Sequence, residues 1–181
     1  MRKRSSLRKE APANTSLSPE EKRRRAFQRA VKLLAAKPRS VAELRERLLE
    51  GRGATNTVVE EVIARLREYG YLDDERFAFG YASLRVKQKP LGRKRLERDL
   101  MLKKIAGKVA GEALDLVFKE TSEEELIDRA IEKRVRLRGR PQSREDARKL
   151  FDHLLRQGFA FELVSERVRA VTRGDIDEDS Y

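Results

Sequence analysis

The stretch of sequence that decides the fold is residues 58–84, which read VVEEVIARLREYGYLDDERFAFGYASL. Two sets of apolar residues in it recur with the 3.6-residue period of an amphipathic helix. The first set is Val59, Val62, Ile63 and Leu66, and the second is Phe77, Tyr81 and Leu84. Between the sets, Gly70 breaks the period, and Asp73 is a typical N-cap residue for a following helix. The stretch therefore predicts two helices joined by a short turn, with both apolar sets in a core.

The same signals continue outward along the chain in both directions. A Ser or Thr with an acidic residue three positions later is the capping-box pattern that marks a helix start. This pattern occurs at Ser40, Thr57, Ser122 and Ser143, the last in a weaker form. Gly or Pro breaks the apolar period at Pro38, Gly51, Gly53, Gly70, Pro90, Gly139, Pro141 and Gly158. An interior Gly costs about 1 kcal/mol relative to Ala, so the helix around Val109 should begin near Gly107 or Lys108. The prediction is nine helices of roughly 10–17 residues in an all-α fold.

An internal repeat relates three parts of the chain. With Ala54, Ile105 and Phe159 aligned, the residues five before and four, nine and twelve after them are apolar in every copy. The aligned sets are Leu49, Leu100 and Leu154; Val58, Val109 and Leu163; Ile63, Leu114 and Val168; and Leu66, Val117 and Val171. A unit of about 50 residues has only a small core, and stacking on its neighbours buries more apolar surface. We therefore predict three tandem three-helix repeats that form an elongated, curved, solenoid-like array.

Composition changes at both ends of the chain. Residues 1–19 are basic and have no apolar period, which predicts a disordered basic tail. Residues 173–181 are rich in Asp and predict an acidic tail. The three repeats between the tails are predicted at residues 20–72, 73–119 and 120–172.

The composition excludes several classes of function. The 181 residues include 43 Lys and Arg against 31 Asp and Glu, which gives a net charge of +12. The chain has no Cys and a single His, His153, so thiolate chemistry is excluded and zinc or histidine catalysis has little support. Apolar runs fall far short of the roughly 20 residues of a membrane span, and no secretory signal follows the basic N-terminus. We expect a soluble intracellular protein without cofactor or metal, whose partner is nucleic acid or a protein that carries it.

Positive charge is densest between Arg85 and Lys104, where nine basic residues face only Glu97 and Asp99. The nine residues of this central basic segment are Arg85, Lys87, Lys89, Arg93, Lys94, Arg95, Arg98, Lys103 and Lys104. Cations that follow Gly92, at the expected start of a helix, oppose the helix dipole, and an external anion would relieve that conflict. The segment is therefore our candidate contact with DNA phosphate or with an acidic protein surface, and a merely solvated basic face is the alternative. Basic residues of the N-terminal tail are a second, weaker candidate for phosphate contact.

Three other features have a structural and a functional interpretation. Asp73 and Asp74 resemble paired catalytic carboxylates, but adjacent acids before a helix favour capping. The aromatic residues around the first turn could stack on bases, but their helical spacing favours core packing, with Phe79 the most exposed. These residues are Tyr69, Tyr71, Phe77, Phe79 and Tyr81. His153 has no partner for catalysis and is assigned a structural role.

Three segments of this chain resemble the RecX family of bacterial regulators of the RecA recombinase. The Gly-Tyr-Leu-Asp-Asp run within residues 68–78 carries most of the likeness, and residues 89–100 and 154–164 support it. The chain departs from the family at two repeat turns, where it has Gly53-Ala54 and Lys104-Ile105 in place of Gly-Phe and Gly-Ile. The geometry of these turns is therefore the point to test.

The resemblance, which covers roughly residues 25–172, implies a function as well as a fold. It implies binding to RecA and to its filament on single-stranded DNA, with inhibition of filament extension, strand exchange and coprotease activity. This is a non-enzymatic role in recombination, DNA repair and the SOS response, exerted by a cytoplasmic monomer, with weak direct DNA binding as a further expectation. A direct DNA-binding protein with helix-turn-helix-like modules is the alternative. A nucleic-acid enzyme is disfavoured because no nucleophile is evident.

Overall fold

The computed structural model describes residues 17–51 and 53–173, which form nine α-helices and no strand. The helices are α1 (Pro19–Ala36), α2 (Val41–Leu49), α3 (Asn56–Glu68), α4 (Asp74–Gln88), α5 (Arg93–Leu102), α6 (Gly107–Glu120), α7 (Glu123–Arg138), α8 (Arg144–Gln157) and α9 (Phe161–Arg173). The predicted all-α fold is confirmed, and α6 begins at Gly107 as expected. The basic tail residues and nearly all of the acidic tail lie outside the described residues. None of the described helices is both long and apolar enough to span a membrane.

The helices pack in consecutive groups of three, α1–α3, α4–α6 and α7–α9, which makes an elongated array of three-helix units. The first unit has its own apolar core, centred on fully buried residues such as Leu44 and Leu66. The second and third units share one continuous core, in which Leu100 of the second unit and Phe159 of the third belong to a single cluster. Each such buried side chain contributes about 1.5–3 kcal/mol by leaving water. The middle unit is therefore joined to the third by apolar packing.

Side-chain caps fix most of the helix starts. Ser40 forms a full capping box, in which the Glu43 N–H donates to Ser40 Oγ at 3.1 Å and the Ser40 N–H donates to the Glu43 carboxylate. Ser122 and Ser143 also cap their helices, as predicted. The predicted cap at Thr57 is wrong, because the extended Thr55 precedes α3 and its hydroxyl accepts from the Val58 N–H. Because Thr55 and not Thr57 is the N-cap, the helix starts two residues earlier than the capping-box pattern predicts.

The predicted alignment of the three repeats is confirmed for the helix that follows each turn. It is not confirmed for every helix that precedes a turn. Ile63, Leu114 and Val168 are buried in all three units. Leu49 was aligned with two buried leucines, yet it is 39% exposed, and Leu48 takes the core position. The buried leucine before the first turn therefore lies six residues before Ala54, whereas Leu100 and Leu154 lie five residues before Ile105 and Phe159.

The helix predicted for α4 is confirmed, but the prediction of its buried face is wrong. The buried face of α4 consists of Ala78, Ala82 and Val86, and not of the larger set that ends at Leu84. These small side chains let α4 lie close against α6, whose facing residues include Ala113. Phe77 and Tyr81 are half-buried, and Leu84 is 55% exposed. The fully buried face of α4 is therefore made of small side chains, whereas Phe77 and Tyr81 are only half-buried and Leu84 is exposed.

Lys104 adopts the left-handed conformation that glycine takes in the equivalent turns. Its φ is +58°, and its N–H donates to the Met101 carbonyl at 2.8 Å, while the Ile105 N–H donates to the Leu100 carbonyl at 3.1 Å. Gly158 has the same hydrogen-bond pattern with a φ of +90°. The departure from the family residue therefore leaves the turn geometry intact.

Replacing Lys104 with glycine is expected to raise the free energy of unfolding by up to about 1 kcal/mol. The left-handed conformation costs an L-residue roughly 1–2 kcal/mol, whereas the exposed ion pair of Lys104 with Glu46 contributes at most about 1 kcal/mol. Urea unfolding followed by circular dichroism measures the change. The matched control is Glu46→Gln, which removes only the ion pair, and a K104G protein less stable than E46Q would contradict the argument.

Candidate partner interface

The central basic segment covers the end of α4, the connection that follows and α5, and its nine cations fall into two groups. Five of them form ion pairs within the chain. The pairs are Arg85 and Arg95 with Asp99, Arg93 with Glu97 and Asp115, Lys103 with Glu43, and Lys104 with Glu46. The other four are exposed, and no carboxylate of the described residues pairs with them. This exposed quartet is Lys87, Lys89, Lys94 and Arg98.

Asp99 explains why two of the arginines belong to the fold. Its side chain is only 10% exposed, and its two oxygens lie 3.3 Å from Arg85 Nη2 and 3.1 Å from Arg95 Nε. An uncompensated carboxylate at this depth would cost several kcal/mol. Arg85 therefore ties α4 to α5 through Asp99, and Arg95 pairs with the same carboxylate from within α5.

The start of α5 is also satisfied from within the chain. The Gly92 N–H donates to the Gln157 carbonyl at 3.0 Å, and the Lys94 N–H donates to the Gly158 carbonyl at 3.1 Å. The Arg93 N–H donates to Glu123 Oε1, also at 3.0 Å. The conflict between local cations and the helix dipole is thus relieved by internal carbonyls and a carboxylate. These internal groups take the place of the external anion that the sequence led us to expect at this helix start.

The two joints between units use the same hydrogen bond. In each, the first N–H of a unit's second helix donates to a carboxylate at the first residue of the next unit's first helix. Arg93 and Glu123 form this bond at the second joint, and Val41 and Asp74 form it at the first, at 2.8 Å. Asp73 meanwhile caps its own helix by accepting from the Arg76 N–H. The pair of aspartates is therefore a pair of caps that serve two different helices.

The first joint contains further polar contacts at the C-terminal end of α5. Ser40 Oγ donates to the Lys103 carbonyl at 2.6 Å, and Lys103 Nζ lies 2.8 Å from Glu43 Oε1. Burial raises the pKa of Glu43, but the hydrogen bond and charge of Lys103 more than offset this, so the pKa is lowered overall. A lowered folded-state pKa means that the Glu43 carboxylate stabilises the joint at pH values above its ordinary pKa. This contribution is lost as the pH falls through the folded-state pKa.

The aromatic residues separate into an exposed pair and a packed group. Tyr71 is 66% exposed and meets Tyr69 edge to face at 6.3 Å between ring centroids. Phe79 was expected to be the most exposed, but it is half-buried against the shared core. The apolar pattern missed this because it placed the core on the wrong side of α4. His153 is half-buried, and burial together with the charges of Arg134 and Arg156 lowers its pKa, which favours the neutral imidazole.

Comparison with known proteins finds matches over most of the array. The family model described as RecX, first three-helix domain, matches residues 26–66, and that for the second three-helix domain matches residues 73–114. The regulatory protein RecX of Bacillus licheniformis is 30% identical over 156 residues, which are 86% of this chain and 57% of that protein. The regulatory protein RecX of Chlorobium limicola is 33% identical over 140 residues, 77% of this chain and 84% of that one.

The fold also matches a solved structure. The crystal structure of RecX from Lactobacillus salivarius superposes with a TM-score of 0.74 and covers 84% of this chain and 98% of that one, at 19% identity. The chain spans little more than half the length of the Bacillus relative.

Proposed function

The chain belongs to the RecX family of regulatory proteins, and from that premise we propose that it binds the RecA recombinase and its filament on single-stranded DNA. It limits filament extension, strand exchange and coprotease activity by occupying the filament, without catalysis of its own. The observation that carries the proposal is the exposed quartet on the middle unit. No carboxylate of the described residues pairs with its four charges, and Arg98 donates only to the Lys94 carbonyl, so the charges are available to an acidic surface or to DNA phosphate.

The mechanism follows from the charge and the shape of the array. Exposed cations on a protein of net charge +12 speed its encounter with a polyanionic filament. Three units in a row can touch more than one filament subunit at once, and the combined contacts hold the protein in place better than any single contact does. A filament covered in this way would exchange strands and grow more slowly.

A co-sedimentation experiment tests the proposal. We expect the protein to pellet with RecA filaments formed on single-stranded DNA with nucleotide, and to slow strand exchange when added to them. Soluble RecA without DNA should be captured on immobilised protein, since the protein partner supplies part of the contact. Absence of binding to both forms of RecA would refute the proposal.

Direct DNA binding is the second candidate, because the exposed quartet suits phosphate as well as carboxylate. A salt titration on bare DNA separates the two functions. A regulator of the filament should bind bare DNA weakly, with an affinity that collapses as salt rises. Tight, sequence-dependent binding without recombinase would favour the alternative.

A further inference from the structure

An apolar groove lies between α1 and α4, where the first unit meets the second. It has a volume of about 610 Å³. Its apolar lining consists of Leu34, Pro38, Tyr71, Phe77, Tyr81 and Leu84. A second depression of about 790 Å³ shares Leu34 and Tyr71 with it and extends along α1 past Val31. The two together form one continuous apolar surface on the outside of the array.

The groove exists because α4 buries its small residues, whereas Phe77, Tyr81 and Leu84 line the groove. Ala78 and Ala82 are fully buried against the core, whereas Leu84 is 55% exposed on the groove side. Tyr71, at the other end of the groove, is 66% exposed. A contiguous apolar surface of this kind on a protein otherwise rich in charge marks an interaction site.

Gly80 lies in the groove, in the interior of α4. A Cβ at this position would meet no atom within 4 Å, and the backbone has no positive φ there. Glycine weakens a helix interior relative to alanine, so neither packing nor backbone geometry within the chain accounts for it. The missing side chain instead leaves the groove floor open to an occupant.

The rim of the groove is positively charged. Among the described residues, no carboxylate pairs with Lys37, Arg39 or Arg76. Arg39 donates to the Leu33 carbonyl at 3.3 Å, and Arg76 donates to a carbonyl of the preceding turn, which orients both guanidinium groups without neutralising them. Lys37 is exposed to solvent. One carboxylate, Asp73, also lines the groove, so these three cations leave it with a net positive charge beside its apolar floor.

We propose that this groove binds an amphipathic helical segment of the protein partner, one that carries carboxylates beside its apolar face. Phe77 to Leu84 spans two helical turns, about 10 Å, which suits anchors spaced i, i+3 or i+4, and i+7 on a docked helix. The lining combines the aliphatic Leu34, Pro38 and Leu84 with three aromatic side chains, and such a mixed apolar surface suits the apolar face of a helix. Lys87 of the exposed quartet lies three residues beyond Leu84, so the groove continues into the surface assigned above. The inference rests on the proposed function, since it names the part of the partner that this surface recognises.

The absence of cysteine allows a direct test by single-cysteine labelling. Leu84→Cys places a thiol in the groove, and Leu137→Cys places one on α7, where Leu137 is 70% exposed. Maleimide modification is measured alone, with RecA, with RecA filaments and with single-stranded DNA alone. We expect RecA to slow modification at position 84 by about tenfold, because a docked helix covers the thiol, and to leave position 137 unchanged.

Each outcome decides a different point. Co-sedimentation first shows that the complex forms. If RecA then leaves the rate of modification unchanged at position 84 as well as at position 137, the groove is not the binding site, and the proposed function still stands. Protection of position 84 by single-stranded DNA alone identifies a nucleic-acid occupant and overturns the inference. Failure of the unlabelled protein to bind RecA overturns the proposed function itself.

Charge reversal on the rim gives an independent check. Lys37→Glu should weaken RecA binding about fivefold to tenfold, because a rim charge acts mainly on the association rate. Lys32→Glu is the matched control, since Lys32 is exposed on α1, which ends just before Lys37, and does not line the groove. An equal loss of affinity in both variants would show a general charge effect and contradict the assigned occupant.

Discussion

Replacing Gly92 with alanine is expected to lower the free energy of unfolding by about 3 kcal/mol, because the added methyl group has no room. A Cβ on Gly92 would lie 2.3 Å from the Phe159 nitrogen and 2.4 Å from the Gly158 carbonyl. The φ of Gly92 is −79°, which alanine adopts without strain, so the whole effect is steric. The two backbones would have to separate at the second joint. The hydrogen bonds from Gly92 and Lys94 to the end of α8 would break, and the shared core beside the buried Phe159 would open.

Thermal and urea unfolding of the variant measure this loss. The matched control is Gly111→Ala, the same substitution in the interior of α6, where a Cβ would meet nothing within 4 Å. That variant should gain up to about 1 kcal/mol from helix propensity. The two identical substitutions should therefore change stability in opposite directions. A G92A protein as stable as the wild type would show that the close approach at this joint is not required by the fold.

Charge reversal of the exposed quartet is expected to weaken binding to the RecA filament by about tenfold to a hundredfold. The variant is Lys87→Glu, Lys89→Glu, Lys94→Glu and Arg98→Glu. Folding should survive, because none of the four pairs with a carboxylate of the described residues. Reversing the five paired cations instead would place like charges beside Asp99 and Glu43 and confuse a loss of fold with a loss of contact. Co-sedimentation at several salt concentrations measures the effect, whose size should shrink as salt rises.

The control changes the net charge equally in the third unit. Its substitutions to Glu are at Arg129, Lys133, Arg136 and Arg148, which are exposed and form no ion pair within the described chain. If only net charge matters, both quadruple variants will lose affinity alike, and the placement of the interface on the middle unit is wrong. Retained binding by the quartet variant would remove the role of these four residues altogether.

Features that depend on neighbouring residues were predictable from the sequence. The caps at Ser40 and Ser122 and the turn at Gly158 follow from local hydrogen bonds and backbone preferences. The phase of α4 was not predictable in the same way, because a pattern search gives weight to Phe77 and Leu84 and little to alanines. Yet close packing of α4 on α6 requires small side chains, and tertiary packing decided which face is buried.

The sequence also does not show which cations of the central basic segment form ion pairs within the chain. The sequence shows nine cations together, but three of the carboxylates that neutralise them come from Glu43, Glu46 and Asp115, on other helices. Only the folded chain brings these groups together. The same is true of the carboxylate of Glu123, which satisfies the start of α5 from 30 residues away. A charge count therefore does not show which cations are paired within the chain, and four of the nine have no carboxylate partner among the described residues.

The joints have a consequence for how such proteins can vary in length. The middle unit offers the carboxylate of Asp74 on one side and the helix start at Arg93 on the other, so the linkage between Val41 and Asp74 is repeated between Arg93 and Glu123. A linkage whose two halves differ does not close on itself, and it can be extended without altering the parts already joined. Duplication of one module would supply both halves of a new joint at once. The fold is thus a modular scaffold, in which the length of the array can evolve separately from the surface of any single unit.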